Sequence, residues 1–292
     1  MKEQIYILKN VENFEPKHIF ECGQCFRWNE ESDGSYTGIV SNNVLNVKKD
    51  QNNIIIKGKC EDNIKDVCEK YFDLETDYNK IKSDLSEIDN NMKISIEYGR
   101  GIRILKQDPW EALISFIISA NNNIPRIKGI IERISKKYGK EIEWNNKKYY
   151  TFPTPEELSK ATVKDLRLLG LGFRDSRVFE TTRILHNKEV DLYELEQTED
   201  INKLRETLLK LPGVGPKVAD CIMLFSMKKF NVFPIDVWVK RVMTELYSTE
   251  LLENNTSTIS NKKILELAEN KFGKLAGLAQ QYLFYWRREL EK

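Results

Sequence analysis

Lys217 stands where a lysine is unusual, at the start of a helix that follows a proline- and glycine-rich hairpin. The hairpin, 211–216, reads LPGVGP and separates a short helical pattern over 204–210 from a strongly apolar helix predicted over 217–227. The positive end of the helix dipole and apolar neighbours both favour the uncharged amine of such a lysine. An uncharged amine is the form that attacks carbon to give a Schiff base. The position therefore predicts a nucleophile, although most lysines at helix ends are simply solvated.

The hairpin itself predicts contact with a phosphate. Gly213 and Gly215, on either side of Val214, let the backbone turn sharply and approach another molecule closely. The N–H groups that begin the next helix have no partner within the helix, and such a terminus binds phosphate. Proline and glycine are also common in ordinary helix–turn–helix connections, so the hairpin alone leaves both interpretations open.

Asp236 follows Lys217 at a distance of nineteen residues, in the run 233–241, which reads FPIDVWVKR. It lies where the N-cap of the next helix belongs, and Pro234 keeps the approach extended. In isolation, the aspartate would be interpreted as a cap and nothing more. A carboxylate held in a dry pocket also stabilises positive charge that develops in a reaction. The hairpin, the lysine and Pro-x-Asp at this spacing together form a specific signal.

The elements that must position these residues change character along the chain. Short alternating runs at 25–28, 35–40, 44–47 and 54–56 predict antiparallel strands, because the connections are too short for crossover helices. Helical periodicity begins near residue 63, and Asp108 is the predicted N-cap of a helix that continues to Ala120 and ends at 121–123. We therefore expect an α+β protein with a small antiparallel sheet domain with helices, 1–100, and a mostly helical domain, 101–292.

Composition limits the classes of function. The 292 residues carry 46 Lys and Arg against 45 Asp and Glu, so a nucleic-acid surface has to be local. Five cysteines, with no apolar leader after Met1, predict a cytoplasmic protein, and no apolar run is long enough to span a membrane. Two histidines offer little for zinc sites or histidine triads. Cys22 and Cys25 have no second pair, and no cysteine follows Cys221, so neither a metal site nor a C-terminal iron–sulfur cluster is expected.

The hairpin, Lys217 and Asp236 resemble the helix-hairpin-helix-GPD superfamily of DNA glycosylases. From about Gly23 to Phe284 the chain is similar to the 8-oxoguanine DNA glycosylase branch, whose N-terminal GQ-x-FRW motif matches GQCFRW at 23–28. The resemblance implies an N-terminal layer similar to the TATA-binding-protein fold. It also implies that Lys217 attacks C1′ of the sugar while Asp236 supports the oxocarbenium-like sugar.

The same resemblance implies a pocket for a flipped base. The Gly23 carbonyl would accept the proton that 8-oxoguanine carries on N7, where guanine has an acceptor. Cys221 and Phe284 would sandwich the purine, and Gln280 would bind its Watson–Crick edge. Helical spacing agrees, since Lys217 lies four residues before Cys221, as Gln280 does before Phe284. Taken singly, Cys221 and Phe284 are equally compatible with an ordinary core.

Five further positions are implied to contact DNA. Asn121 would fill the vacated stack, while Arg126 and Arg174 would bind the opposite cytosine. Phe173 occupies a wedge position where Tyr is expected, and Trp238 stands where relatives have a phosphate-binding His, so that contact is in doubt. Helix capping by Asn121 and plain surface charge for the arginines are the alternatives.

We therefore expect an enzyme of base excision repair that excises 8-oxoguanine and nicks the strand by β-elimination through a lysine Schiff base. Its partner would be double-stranded DNA containing oxidised guanine, and it would act as a monomer at the bacterial nucleoid. No cofactor is expected, because a neutral amine is already a nucleophile; a structural cation on hairpin carbonyls is left open. The alternatives are an alkylated-base glycosylase of the same fold, which would use water, and a helix-hairpin-helix module that only binds DNA.

Overall fold

A five-stranded antiparallel sheet forms the N-terminal layer, as predicted. The computed structural model describes residues 1–251 and 259–291. The strand order is β1-β5-β4-β3-β2, and every neighbouring pair is antiparallel. The strands are β1 (Lys2–Leu8), β2 (Trp28–Glu30), β3 (Tyr36–Val40), β4 (Asn43–Asp50) and β5 (Asn53–Cys60).

One part of the strand prediction is wrong. Of the run 25–28, only Trp28 belongs to a strand, because residues 21–27 form an irregular segment. Gly23 adopts a left-handed φ of 85°, and the buried side chain of Gln24 bonds the backbone of Ile19, Arg103 and Leu105. This segment is therefore held by hydrogen bonds of its own Gln24 side chain to backbone groups elsewhere in the chain, and not by a neighbouring strand.

The helices follow the predicted start and stop signals. The Asp108 side chain caps its helix by accepting from the Glu111 N–H at 2.9 Å, and Asn121 adopts a left-handed φ of 52° just after the helix. The helices are α1 (Pro16–Phe20), α2 (Ile64–Tyr71), α3 (Tyr78–Ser86), α4 (Asn90–Tyr98), α5 (Pro109–Ser119), α6 (Ile124–Tyr138), α7 (Pro155–Leu158), α8 (Val163–Leu168), α9 (Asp175–His186), α10 (Leu192–Glu196), α11 (Ile201–Leu209), α12 (Pro216–Met227), α13 (Val237–Leu246), α14 (Ser248–Leu251), α15 (Asn261–Phe272) and α16 (Ala276–Leu290).

A hairpin inside the helical part was not predicted. Strands β6 (Glu141–Trp144) and β7 (Lys147–Tyr150) are joined by a two-residue turn at 145–146, both residues with positive φ. Ile142 and Trp144 pack against Ile39 and Val44 of the N-terminal sheet. The hairpin thus links the helical part to the sheet.

The main hydrophobic core surrounds α5 and α12, which pack against each other. Residues 218–227 of α12 are buried throughout. Packing in the core therefore fixes the orientation of this helix and the position of its first turn. Helix α4 packs against α16, so helices that precede residue 100 share this core. The division into 1–100 and 101–292 stays a prediction. No helix among the described residues is long and apolar enough to cross a membrane.

Candidate active site

Lys217 lies in the first turn of α12, as predicted, and faces an aromatic ring of α5. Its Nζ lies 5.2 Å from the centroid of the Phe116 ring. The preceding N-cap, Gly215, provides no side-chain hydrogen bond to the helix, and Pro216 has no N–H. The amides of the first turn are therefore left available to a ligand beside the lysine.

A small cavity brings together residues from four separate segments of the chain. It is lined by Lys217 and Cys221 of α12, by Asp236 before α13, by Gln280 and Phe284 of α16, and by Gly23. These are the residues predicted for catalysis and for the base pocket. Side chains that were not predicted complete the lining: Cys22, Phe116, Phe225, Pro234, Val239 and Gln281.

Asp236 is held at the cavity by the cap that its sequence position predicts. A carboxylate oxygen, Oδ1, accepts a hydrogen bond from the Val239 N–H at 2.8 Å, and the backbone of the aspartate is extended. This bond fixes the side chain at a helix N-terminus, where the dipole stabilises the negative charge. The carboxylate is therefore already in position to stabilise positive charge that develops in the cavity.

Cys221 contributes a surface and not a second nucleophile. Burial raises the pKa of its thiol to about 11, although the nearby Lys217 ammonium acts in the opposite direction. A thiolate is the reactive form of cysteine, so a thiol with this pKa is unreactive near neutrality. The protonated sulfur then presents a polarizable, nearly apolar face to the cavity.

Gln280 carries a buried acceptor that lacks a partner. The residue is 4% exposed, and within the described part of the chain its Oε1 has no hydrogen bond. An unpaired buried acceptor costs roughly 1–3 kcal/mol, so such groups call for an explanation. A ligand that donates an N–H inside the cavity would remove this cost.

The cavity must enlarge to hold a purine. Its volume is about 40 Å³, far below the roughly 300–1,000 Å³ of pockets that hold small ligands. The ring of Phe284 packs onto Gly23 so closely that a Cβ there would lie 3.3 Å from its Cε1. A base therefore fits only if the cavity widens, and the absence of a Cβ at Gly23 permits the packing of Phe284.

Comparison with known proteins identifies the family. Residues 6–113 match the family described as 8-oxoguanine DNA glycosylase, N-terminal domain, and residues 114–274 match the HhH-GPD superfamily of base excision DNA repair proteins. The chain belongs to the 8-oxoguanine DNA glycosylase/lyase family. The predicted family, fold class and enzyme class are thereby confirmed.

Relatives of this glycosylase come from bacteria, archaea and fungi. The Clostridium acetobutylicum 8-oxoguanine glycosylase/lyase, solved with double-stranded DNA containing cytosine opposite 8-oxoguanine, is 46% identical with a TM-score of 0.92, covering 100% of this chain and 98% of that one. A probable N-glycosylase/DNA lyase of Methanothermobacter thermautotrophicus is 33% identical over 76% of this chain and 74% of the relative. The N-glycosylase/DNA lyase of Saccharomyces cerevisiae is 34% identical over 91% and 81%.

The residues predicted to contact DNA around the vacated stack form a cluster near the end of α5. Arg174 is 1% exposed, and its guanidinium donates to the carbonyls of Ala120 and Asn121, with Nη2 2.7 Å from the latter oxygen. Arg174 thus positions the turn that carries Asn121. Phe173 is 53% exposed, and its ring centroid lies 4.2 Å from Cζ of Arg174. An exposed aromatic held in this way is suited to the predicted wedge.

The remaining DNA-contact predictions are less uniform. Arg126 is exposed, with Nη2 3.4 Å from the Gly170 carbonyl, and Trp238 is 38% exposed beside Arg241. Val214 differs from both, because its side chain is buried and its N–H donates to the Leu211 carbonyl at 3.1 Å. The accessible part of the hairpin therefore consists of its glycines and the start of α12, and not of the valine side chain.

Of the six cavity residues that were not predicted, Phe116 and Gln281 were missed for different reasons. Phe116 lies within the apolar run of α5, where nothing local separates a cavity wall from core. Gln281 follows Gln280 in an otherwise apolar stretch, and its Nε2 donates to the Cys22 carbonyl at 2.5 Å. Two adjacent buried glutamines in a helix are a signal, because each needs a hydrogen-bond partner.

Proposed function

We propose that this glycosylase removes 8-oxoguanine from duplex DNA and cleaves the strand, with Lys217 as nucleophile. The observation that carries the proposal is the composition of one cavity. It combines an amine, a capped carboxylate and an unpaired amide oxygen between the apolar faces of Cys221 and Phe284. This combination suits the excision of a flipped base through a covalent intermediate.

The reaction follows from the chemistry of the amine. The lone pair of neutral Lys217 bonds to C1′, the bond from C1′ to the base breaks, and its electron pair leaves with the base. Nζ then gives a proton to the departed base, and its lone pair forms a double bond to C1′ as the bond from C1′ to O4′ breaks. O4′ takes up a proton from water, which leaves the opened sugar attached to Lys217 as a protonated imine. Loss of a C2′ proton then breaks the bond from C3′ to its oxygen, which cleaves the strand on the 3′ side of the lesion. None of these steps requires a cofactor.

Asp236 acts on the first step. Positive charge develops on the sugar as the base departs, and a fixed carboxylate lowers the energy of that state more than the energy of the bound substrate. Base recognition is divided between Gly23, which accepts the N7 proton, and Gln280, which bonds the Watson–Crick edge. Stacking between Cys221 and Phe284 holds the ring.

The proposal extends to the setting of the enzyme. We place it in the bacterial cytoplasm at the nucleoid, as a monomer on double-stranded DNA. The five cysteines are all free and buried, which suits a reducing compartment. Sedimentation of the free protein and of its DNA complex tests the monomer.

Product analysis tests the function. Wild type should release 8-oxoguanine and cleave a labelled duplex with the lesion opposite cytosine, and Lys217→Gln should do neither. Lys203→Gln, a change of an exposed lysine on α11, is the matched control and should behave as wild type. Base release that persists without Lys217 would indicate the water-using alternative. A wild type that binds the duplex and releases no base would overturn the proposal.

A further inference from the structure

The segment 21–24, which carries Gly23, is held from outside by side chains of α16. Nη2 of Arg288 donates to the Glu21 carbonyl, and Nε2 of Gln281 donates to the Cys22 carbonyl at 2.5 Å. Gln281 is 2% exposed, so its bond is shielded from water. Two carbonyls in succession before Gly23 are thus bound by one helix.

The carbonyl after Gly23 is held in the same way. Nε2 of Gln107 donates to the Gln24 carbonyl at 2.7 Å. Within residues 1–251 and 259–291 no hydrogen bond reaches the carbonyl oxygen of Gly23, although the carbonyls on both sides are bonded. The oxygen that is left unpaired is therefore the one proposed to accept the N7 proton.

Arg288 also contacts Phe284, which lines the cavity. Its Cζ lies 5.2 Å from the centroid of the Phe284 ring, and a Cβ on Gly23 would lie 3.4 Å from its Nη1. Its Nη1 and Nε are buried and have no hydrogen-bond partner in the described ranges. The guanidinium is therefore fixed by the Glu21 carbonyl, by the Glu289 carboxylate, whose Oε1 lies 3.1 Å from Nη2, and by stacking on Phe284.

From this geometry we infer that Gln281 and Arg288 are positioning residues for lesion recognition, which hold the segment so that the Gly23 carbonyl points at the N7 proton of 8-oxoguanine. The left-handed φ of Gly23, 85°, gives this carbonyl a direction that the local chain does not enforce, because glycine adopts many conformations at little cost. The neighbouring bonds remove that freedom. The inference rests on the proposed role of Gly23, and it concerns recognition of the base and not the chemistry of Lys217.

Gln281→Met and Arg288→Met remove each donor and keep an unbranched side chain. Each variant should slow single-turnover excision of 8-oxoguanine by about tenfold to 100-fold. The reason is that a displacement of ~1 Å in the position of a bound substrate can lower the reaction rate by up to about 100-fold. Strand cleavage of a duplex that already contains an abasic site needs no base recognition and should remain at the wild-type rate. Arg287→Met, which removes the neighbouring arginine paired with Glu245, is the matched control and should leave both reactions unchanged.

The outcomes separate this inference from the proposed function. Excision at the wild-type rate in both variants, or an equal loss of abasic-site cleavage, would overturn the positioning role. Arg288→Lys keeps a charged donor and should recover part of the rate; recovery no better than in Arg288→Met would count against the hydrogen bond to Glu21. A wild type that cleaves abasic sites but leaves 8-oxoguanine in place would overturn the proposed function itself.

Discussion

Asp236 has two roles, as a helix cap and as a charge in the cavity, and two substitutions separate them. Asp236→Asn keeps an oxygen that can accept from the Val239 N–H, which Asp236 binds at 2.8 Å, but removes the negative charge. Asparagine caps helices about as well as aspartate. Asp236→Ala removes both the cap and the charge.

The two variants should differ in stability but lose a similar amount of activity. Loss of the cap in Asp236→Ala should lower the free energy of unfolding by about 1 kcal/mol. For a chain of this length, that corresponds to a fall of about 2 °C in the thermal midpoint. Asp236→Asn should keep the midpoint of wild type. Both variants should lose about 100-fold or more in the rate of base excision, as when a preorganised charge-stabilising group is removed.

Thermal unfolding and single-turnover excision on one preparation of each variant measure both effects. Excision by Asp236→Asn near the wild-type rate would refute the electrostatic role and leave the residue as a cap. An equal loss of thermal stability in both variants would refute the idea that the hydrogen bond from the Val239 N–H is what stabilises the helix. Circular dichroism of each variant checks that the helical content is unchanged.

Three other predictions follow from the structure. Gln280→Met removes an unpaired buried acceptor, so the thermal midpoint should hold or rise while discrimination of 8-oxoguanine from guanine falls; a midpoint that falls with activity would indicate a core role. Gly213 has a φ of 87°, and a Cβ there would lie 3.0 Å from Cγ2 of Ile117, whereas a Cβ at Gly215 meets nothing within 4 Å. Gly213→Ala should therefore lower stability, by about 1–2 kcal/mol, and Gly215→Ala should weaken DNA binding with stability retained; thermal unfolding and DNA titration test the pair, and the reverse pattern would contradict it. Burial raises the pKa of Glu111 to about 7 from an ordinary 4.5, so the free energy of unfolding should fall as pH rises between these values. Glu111→Gln should flatten that fall in urea unfolding, and an unchanged slope would exclude Glu111 as its source.

Local signals in the sequence were sufficient for most of the fold. Caps and stop signals act over a few residues, which is why the helix that begins after Asp108 and the turn at Asn121 agree with the structure. The Asn145-Asn146 turn is a hairpin signal, but the hairpin β6–β7 was missed because its strands are short and lie between segments with helical patterns. The strand predicted at 25–27 failed because tertiary hydrogen bonds, which no local pattern contains, override its alternation.

Spacing within single helices predicted part of the site geometry, and the resemblance to the family supplied Gly23 and the role of Asp236. The four-residue intervals from Lys217 to Cys221 and from Gln280 to Phe284 place each pair on one helix face, and both pairs line the cavity. The burial of Arg174 against the Ala120 carbonyl depends on packing between α5 and α9 and could not be read from sequence. For the same reason, the adjacent glutamines of α16 signal a need for hydrogen-bond partners but do not identify the Cys22 carbonyl as the acceptor.

The central claim is that Lys217 forms the covalent bond to DNA. Borohydride reduction during the reaction with an 8-oxoguanine duplex converts a lysine imine into a stable amine, and peptide mass spectrometry then locates the modified residue. If Lys217 forms this bond, we expect a single adduct, located on Nζ of Lys217 in the peptide that contains it. An adduct on another lysine, or none from an enzyme that cleaves the strand, would contradict it.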